Sequence, residues 1–125
     1  MLVDTDVIIW FLRGNPNASS LLKRLPNIFL SAVSVMEIIQ GILNAEEMRL
    51  WKSFLKEYKI KQLMIDESVS TKAIYWMEEF VLSHKLKMAD ALIAATADIN
   101  GLELLTGNSR DYKFLPGIRI KVFHP

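Results

Sequence analysis

The chain has no cysteine among its 125 residues, which excludes disulfides, thiolate metal sites and a cysteine nucleophile. Its two histidines, His84 and His124, lie far apart in sequence, and with no thiolate to join them a zinc site is not expected. An excess of one charge is also missing. Lys and Arg number 15 against 14 Asp and Glu, a net charge of +1. No global field therefore points to nucleic acid, and any such contact must rest on local clustering. No apolar run approaches the ~18 residues of a membrane span. Residues 7–12 are apolar but lack a basic leader and follow Asp4 and Asp6, which argues against a signal peptide. Repeats, linkers and low-complexity tracts are absent. One domain over residues 1–125, in a reducing cytoplasmic setting, is the expectation.

What the chain has in quantity is apolar surface: 51% hydrophobic residues and a mean hydropathy of +0.22. Either a sheet is covered on both faces, or part of the surface meets a partner. Leu2-Val3 reads as a short buried strand, followed by a helix over Asp6–Leu12 that stops at Gly14-Asn15-Pro16. Asn17 or Ser19 is expected to cap a short helix ending before Pro26. Ile28–Leu30 is a second strand, and Ser34 opens a helix with Gly41 near its break. Glu46–Tyr58 is amphipathic, with Leu50, Trp51, Phe54, Leu55 and Tyr58 on one side. Ile60–Ile65 forms a third strand, and Asp66 caps a helix from Glu67 to about Ser83. An apolar helix over Met88–Ile99 closes at Asn100-Gly101, and strands follow at Leu102–Leu105 and Ile118–Phe123. Strands alternating with helices predict an α/β/α three-layer fold around a mainly parallel sheet of about five strands.

Four places set an acid or amide near a strand end or helix start: Asp4, Glu37, Asp90, and Asn108 with Asp111. In a parallel sheet, Asp4, Glu37 and Asn108 fall at one edge, where open α/β sheets bind ligands. Asp90 opens the nearly all-apolar run Ala89–Thr96, where packing alone does not explain a charge. Each has a structural alternative. Asp4 could simply cap its helix, and Ser34-x-x-Glu37 reads as a capping box. Asp90 suits a helix dipole, while Asn108 and Asp111 suit a cap and a turn. Converging carboxylates repel one another, and each has its pKa raised unless a cation intervenes. Oxygen-only ligands suit Mg²⁺ or Mn²⁺, and the chemistry that follows is phosphodiester hydrolysis.

The segments Asp4-Thr-Asp6, Ser34-Val-Met-Glu-Ile-Ile-Gln-Gly41, Met88-Ala-Asp-Ala-Leu-Ile-Ala-Ala-Thr96 and Leu105-Thr-Gly-Asn-Ser-Arg-Asp-Tyr112, in that order, resemble PIN-domain proteins. Among these the chain is most similar to the VapC-type toxins of toxin–antitoxin pairs. The resemblance covers the whole chain and is most specific around Asp90. It implies that Asp4, Glu37 and Asp90 are the three acidic metal-site positions of an Mg²⁺- or Mn²⁺-dependent endoribonuclease. It also implies an RNA substrate and an antitoxin partner, and the apolar excess of the chain points to a homodimer. Asp6 stands where the family usually has Asn or Ser. Asn108 stands where many members carry a fourth acid, and Asp111, three residues on, ranks second for that position.

Lys85 and Lys87, ahead of Asp90, and Arg110 and Lys113, beside Asn108, would rim the acidic edge and hold a polyanion. The basic run Arg49, Lys52, Lys56, Lys59 and Lys61 reads instead as the solvated face of an amphipathic helix. The competing functions are a phosphoaspartate enzyme built on Asp4-x-Asp6, a receiver-like domain with Asp66 as phosphate acceptor, and a PIN scaffold without catalysis.

Overall fold

The computed structural model describes residues 1–125. Five strands form one sheet: β1 (Leu2–Val3), β2 (Phe29–Ser31), β3 (Lys61–Leu63), β4 (Leu104–Thr106) and β5 (Ile120–Val122). The order is β3-β2-β1-β4-β5 and every pairing is parallel. Six α-helices intervene: α1 (Thr5–Leu12), α2 (Pro16–Arg24), α3 (Ala32–Gln40), α4 (Ala45–Glu57), α5 (Glu67–His84) and α6 (Met88–Ile99). The α/β sandwich is the one expected, with its parallel character complete.

Successive strand residues point to opposite faces, and the two buried cores divide accordingly. Leu2 and Leu104 join Trp76, Ala91, Ala94 and Ala95 in the core beneath α5 and α6. Val3, Leu30 and Leu105 join Val7, Leu22, Trp51 and Phe54 in the core beneath α1, α2 and α4. Alanines on α6 let it lie close to α5 and the sheet, so a helix with almost no polar face is accommodated in the interior. A two- or three-residue strand holds register here because a slip of one residue would exchange the two cores.

Local signals moved two boundaries. The second helix begins at Pro16, whose fixed φ and missing N–H suit a first helical position. Its cap is therefore Asn15, whose Oδ1 accepts from Ala18 N at 2.9 Å, and neither Asn17 nor Ser19. Helix α3 begins at Ala32 with Ser31 as its cap, accepting from Val33 N at 3.1 Å. Ser34 and Glu37 thus lie inside the helix, and the expected capping box does not form. On α4, Trp51 and Phe54 are buried as expected, but Leu50 is 54% exposed. By contrast, Asp66 caps α5 through Val69 N and Gly41 ends α3, both as the sequence indicates.

Candidate active site

The sheet order reverses direction between its two central strands: β1 leads outward to β2 and β3, and β4 leads outward the other way to β5. Such a switch point leaves a crevice beyond the carboxyl ends of the strands. Asp4 follows β1 there, and Thr106 ends β4 beside it, the two segments being tied by Asp4 N to Leu105 O at 2.9 Å.

Asp4 is 5% exposed, and every bond it accepts comes from the crevice. Oδ1 accepts from Thr5 N at 2.8 Å, capping α1. Oδ2 accepts from Thr106 Oγ1 at 2.8 Å and from Tyr112 Oη at 3.0 Å. The capping role is therefore real, but it occupies one oxygen only. Burial first, and the neighbouring Asp6 second, raise the Asp4 pKa from 3.8 to about 7, against the pull of its hydrogen bonds. No Lys or Arg pairs with it, since the two salt bridges of the chain are Arg49–Glu46 and Lys72–Asp98.

Tyr112 Oη also lies 3.3 Å from Asp90 Oδ1. One phenolic proton thus serves two carboxylates on different elements. Burial, followed by the two negative charges, pushes the Tyr112 pKa far up, so the phenol stays a donor. Asp90 sits in the first turn of α6. Its pKa is raised by burial, then by the charge of Asp111; the Tyr112 bond and the Lys87 charge oppose this, and Glu37 adds to it. Asp90, Asp111, Glu37 and Lys87 therefore share one electrostatic neighbourhood. Glu37 reaches it from α3. Its Oε1 lies 2.7 Å from Thr5 Oγ1, which is 2.8 Å from Ser34 Oγ. Thr5 has one proton, so both distances are met when Ser34 donates to Thr5 and Thr5 donates to Glu37.

Asp6 lines the other side. Its Oδ2 accepts from Gly107 N at 2.9 Å, while Oδ1 is buried with no partner. Burial raises its pKa against the bonds it receives from backbone amides. A Cβ on Gly107 would stand 2.7 Å from Asp6 Oδ2, so only glycine lets this carboxylate lie against the β4 end.

The structure brings Asp4, Glu37 and Asp90 to one crevice, as the sequence suggested. Asn108 is exposed and enters the network through its backbone, its N donating to Thr106 Oγ1 at 2.9 Å. Asp111 closes a 3₁₀ turn over Ser109–Asp111, and its charge is, after burial, the main cause of the raised Asp90 pKa. Lys85, Lys87, Arg110 and Lys113 are exposed and unpaired; of these, Lys87 acts on Asp90 and Arg110 lines a surface hollow with Asn108 and Asp111. Sequence reasoning missed the hydroxyls Thr5, Ser34, Thr106 and Tyr112. Thr5 and Thr106 each adjoin the end of a strand beside a candidate acid, a signal that was available. Nothing local marks Tyr112, because its partners lie 108 and 22 residues away.

The donor set is all oxygen, burial raises the pKa of Asp4, Asp6 and Asp90, and one buried carboxylate oxygen has no partner. Those properties fit a hard divalent cation. No three acids already stand in closed ligating geometry; Asp4 and Asp90 are instead bridged by the Tyr112 proton.

Residues 1–114 match the model of the PIN domain family. Among curated proteins, Ribonuclease VapC10 of Mycobacterium tuberculosis is 34% identical, over 86% of this chain and 82% of its own. A toxin–antitoxin complex from Klebsiella pneumoniae contains a chain 27% identical, with a TM-score of 0.74, covering 94% of this chain and 93% of that one. DNA-bound VapBC from Salmonella typhimurium has the same fold, with a TM-score of 0.84 at 23% identity over 97% and 96% of the two chains.

Proposed function

The chain belongs to the PIN domain family, and from that premise we propose that it is a metal-dependent endoribonuclease, the toxin of a toxin–antitoxin pair. The observation that carries the reading is the Asp4–Tyr112–Asp90 bridge: two partly or fully buried carboxylates, without a basic partner, at the switch point of the sheet. Asp4 and Asp90, with Glu37 and Asp111 at the rim, would hold Mg²⁺ or Mn²⁺. When bound, such an ion supplies charge neutralisation at the phosphate and lowers the pKa of water.

The chain's own residues do the positioning. Thr106 and the Thr5 amide fix both oxygens of Asp4, so its orientation does not depend on the substrate. Ser34 and Thr5 hold Glu37 over the crevice from α3. Lys85, Lys87, Arg110 and Lys113 offer unpaired cations to the RNA phosphates, which contribute affinity without sequence readout. Of the two candidates for the fourth position we favour Asp111 over Asn108, because its charge acts on Asp90.

The other readings fit less well. A phosphoaspartate enzyme needs a lysine beside its nucleophile, and no Lys or Arg pairs with Asp4. A receiver would set its acceptor on a central strand of a 2-1-3-4-5 sheet, whereas Asp66 follows an edge strand. A scaffold without catalysis gives no reason for three acids with raised pKa values at one crevice.

For the partner, a cleft of about 530 Å³ runs between α1, α3 and α4. Ile9, Leu12, Ile38, Ile42, Leu50 and Trp51 line it, with Arg13, Glu37 and Glu47 as its charged residues. An antitoxin segment that is apolar, with a basic residue toward Glu37, fits this cleft and explains the exposure of Leu50. A homodimer fits the exposed Ile74, Tyr75 and Ile99 on the opposite layer. No helix is long and apolar enough to cross a membrane, and a cytoplasmic setting is part of the proposal.

The test is cleavage of single-stranded RNA by the purified protein in Mg²⁺, Mn²⁺ or EDTA. Cleavage should require a divalent ion and be lost in Asp4→Asn and Asp90→Asn, both of which should melt as folded proteins. Glu37→Gln should stay folded and lose most activity, since no capping box depends on it. Full cleavage in EDTA, or by Asp4→Asn, would overturn the proposal.

A further inference from the structure

One side-chain cluster beside the crevice has no role in the scheme above. At the end of α5, the His84 ring stacks on Phe114 with centroids 4.2 Å apart and planes 15° from parallel. Phe80 meets His84 edge-on at 5.7 Å and Phe114 at 5.3 Å, and Ser83 Oγ is 2.8 Å from His84 Nδ1. Phe80 and Phe114 are partly buried against the core and complete it. His84 is exposed and meets that core only through Phe80 and Phe114. Its ring is nevertheless fixed by Phe114 on one face, Phe80 at an edge and Ser83 at a nitrogen.

The position matters. Phe114 is two residues beyond Tyr112, whose hydroxyl bridges Asp4 and Asp90. His84 is followed by Lys85 in the left-handed region, with φ of 54°, which turns the chain back toward Lys87 and the start of α6. The charge of Lys87 acts on Asp90. A flat, held ring thus precedes Lys85, Lys87 and Asp90 in the chain and stacks on Phe114, which follows Lys113 and Tyr112. Single-stranded RNA is bound by that combination: bases stack on Phe, Tyr, Trp or His while cations track the phosphates.

We infer that the open face of His84, backed by Phe114, is a stacking platform for one unpaired base of the RNA next to the scissile phosphate. The inference rests on the ribonuclease reading. The platform would act on affinity for single strands with little preference among bases, because every base has a π face.

The experiment measures binding of a fluorescein-labelled single-stranded oligoadenylate in EDTA, and its cleavage in Mn²⁺. Wild type is compared with His84→Leu and His84→Trp, all checked by thermal melting. Leucine keeps Phe114 covered without an aromatic face. It should weaken binding on the order of tenfold and raise KM with kcat little changed, whereas tryptophan should restore both. Wild-type affinity in His84→Leu, or equal losses in both variants, would overturn the platform. If wild type cleaves no RNA in any divalent ion, it is the ribonuclease reading that fails. Phe114→Leu gives a second route, since it loosens the ring from behind and should reproduce the His84→Leu loss if the variant remains folded.

Discussion

At the scale of single residues, the crevice is governed by how few protons serve its carboxylates. Tyr112 offers one hydroxyl to Asp4 and Asp90. Removing it in Tyr112→Phe leaves two carboxylates short of a donor, an effect worth about 1–3 kcal/mol for buried acceptors. The metal-free variant should unfold at lower urea concentration than wild type, and saturating Mg²⁺ should recover part of the difference. Equal midpoints in EDTA would mean the hydroxyl is not a support. Asp6 makes the opposite case. Its negative charge is the second cause of the raised Asp4 pKa, and its Oδ1 has no partner. Asp6→Asn keeps an acceptor for Gly107 N and removes the repulsion. This variant is expected to be more stable than wild type in EDTA at pH 7, with the gain shrinking at pH 4. A lower melting temperature at pH 7 would show that Asp6 helps to hold the fold together.

At the scale of elements, each helix start beside the sheet is capped by the residue that ends or follows a strand: Asp4 for α1, Ser31 for α3, Asp66 for α5. At Asp4 and Ser31 the chain turns from strand to helix without a loop, whereas Met64 and Ile65 intervene before Asp66, and the residues at those turns are delivered to one edge. Helix α6 is different. Its Lys87 cap makes no side-chain bond, so the first turn keeps Asp90 without a competing anchor. Helix ends set a cost elsewhere. Lys59 follows α4 with φ of 51°, donating its N–H to Lys56 O while Ile60 N bonds to Leu55 O. Only glycine adopts that backbone freely. Lys59→Gly should stabilise the protein by roughly 1 kcal/mol, read as a higher melting temperature with RNA cleavage unchanged. No gain would place the cost of the left-handed turn below what a melting curve resolves.

At the scale of the whole molecule, the acids link stability to pH in an unusual direction. Asp4 has its pKa raised from 3.8 to about 7, and Asp6 and Asp90 are also raised by burial. The folded state therefore binds protons more tightly than the unfolded chain between about pH 4 and 7. Stability contributed by these groups is present below that window and is lost as pH rises through it. In EDTA the melting temperature should fall from pH 4 to pH 7. Divalent ions compete with those protons, so added Mg²⁺ or Mn²⁺ should raise the melting temperature more at pH 7.5 than at pH 5. Melting curves that rise across the window in EDTA and ignore divalents would contradict both the pKa pattern and the cation site.

The alternation of short apolar strands with amphipathic helices, read residue by residue, was enough for an α/β sandwich, because a strand that is apolar on both faces has to be covered twice. The acids Asp4, Glu37 and Asp90 were legible for a related reason: each interrupts an apolar segment, where a charge needs a partner. Which of them touch, and through what, was decided by tertiary structure. Leu2 pairs with Leu104 and Val3 with Leu105 across 102 residues, and that register alone sets Asp4 beside Thr106 and within reach of Tyr112. Ser31 rather than Ser34 became the cap of α3 because the strand ran one residue further than its apolar pattern, which freed Glu37 to face Thr5. A hydroxyl contributes little to any local pattern. Its meaning here comes from the carboxylate that the sheet places 2.8–3.3 Å away, and that pairing exists only after the strands have assembled.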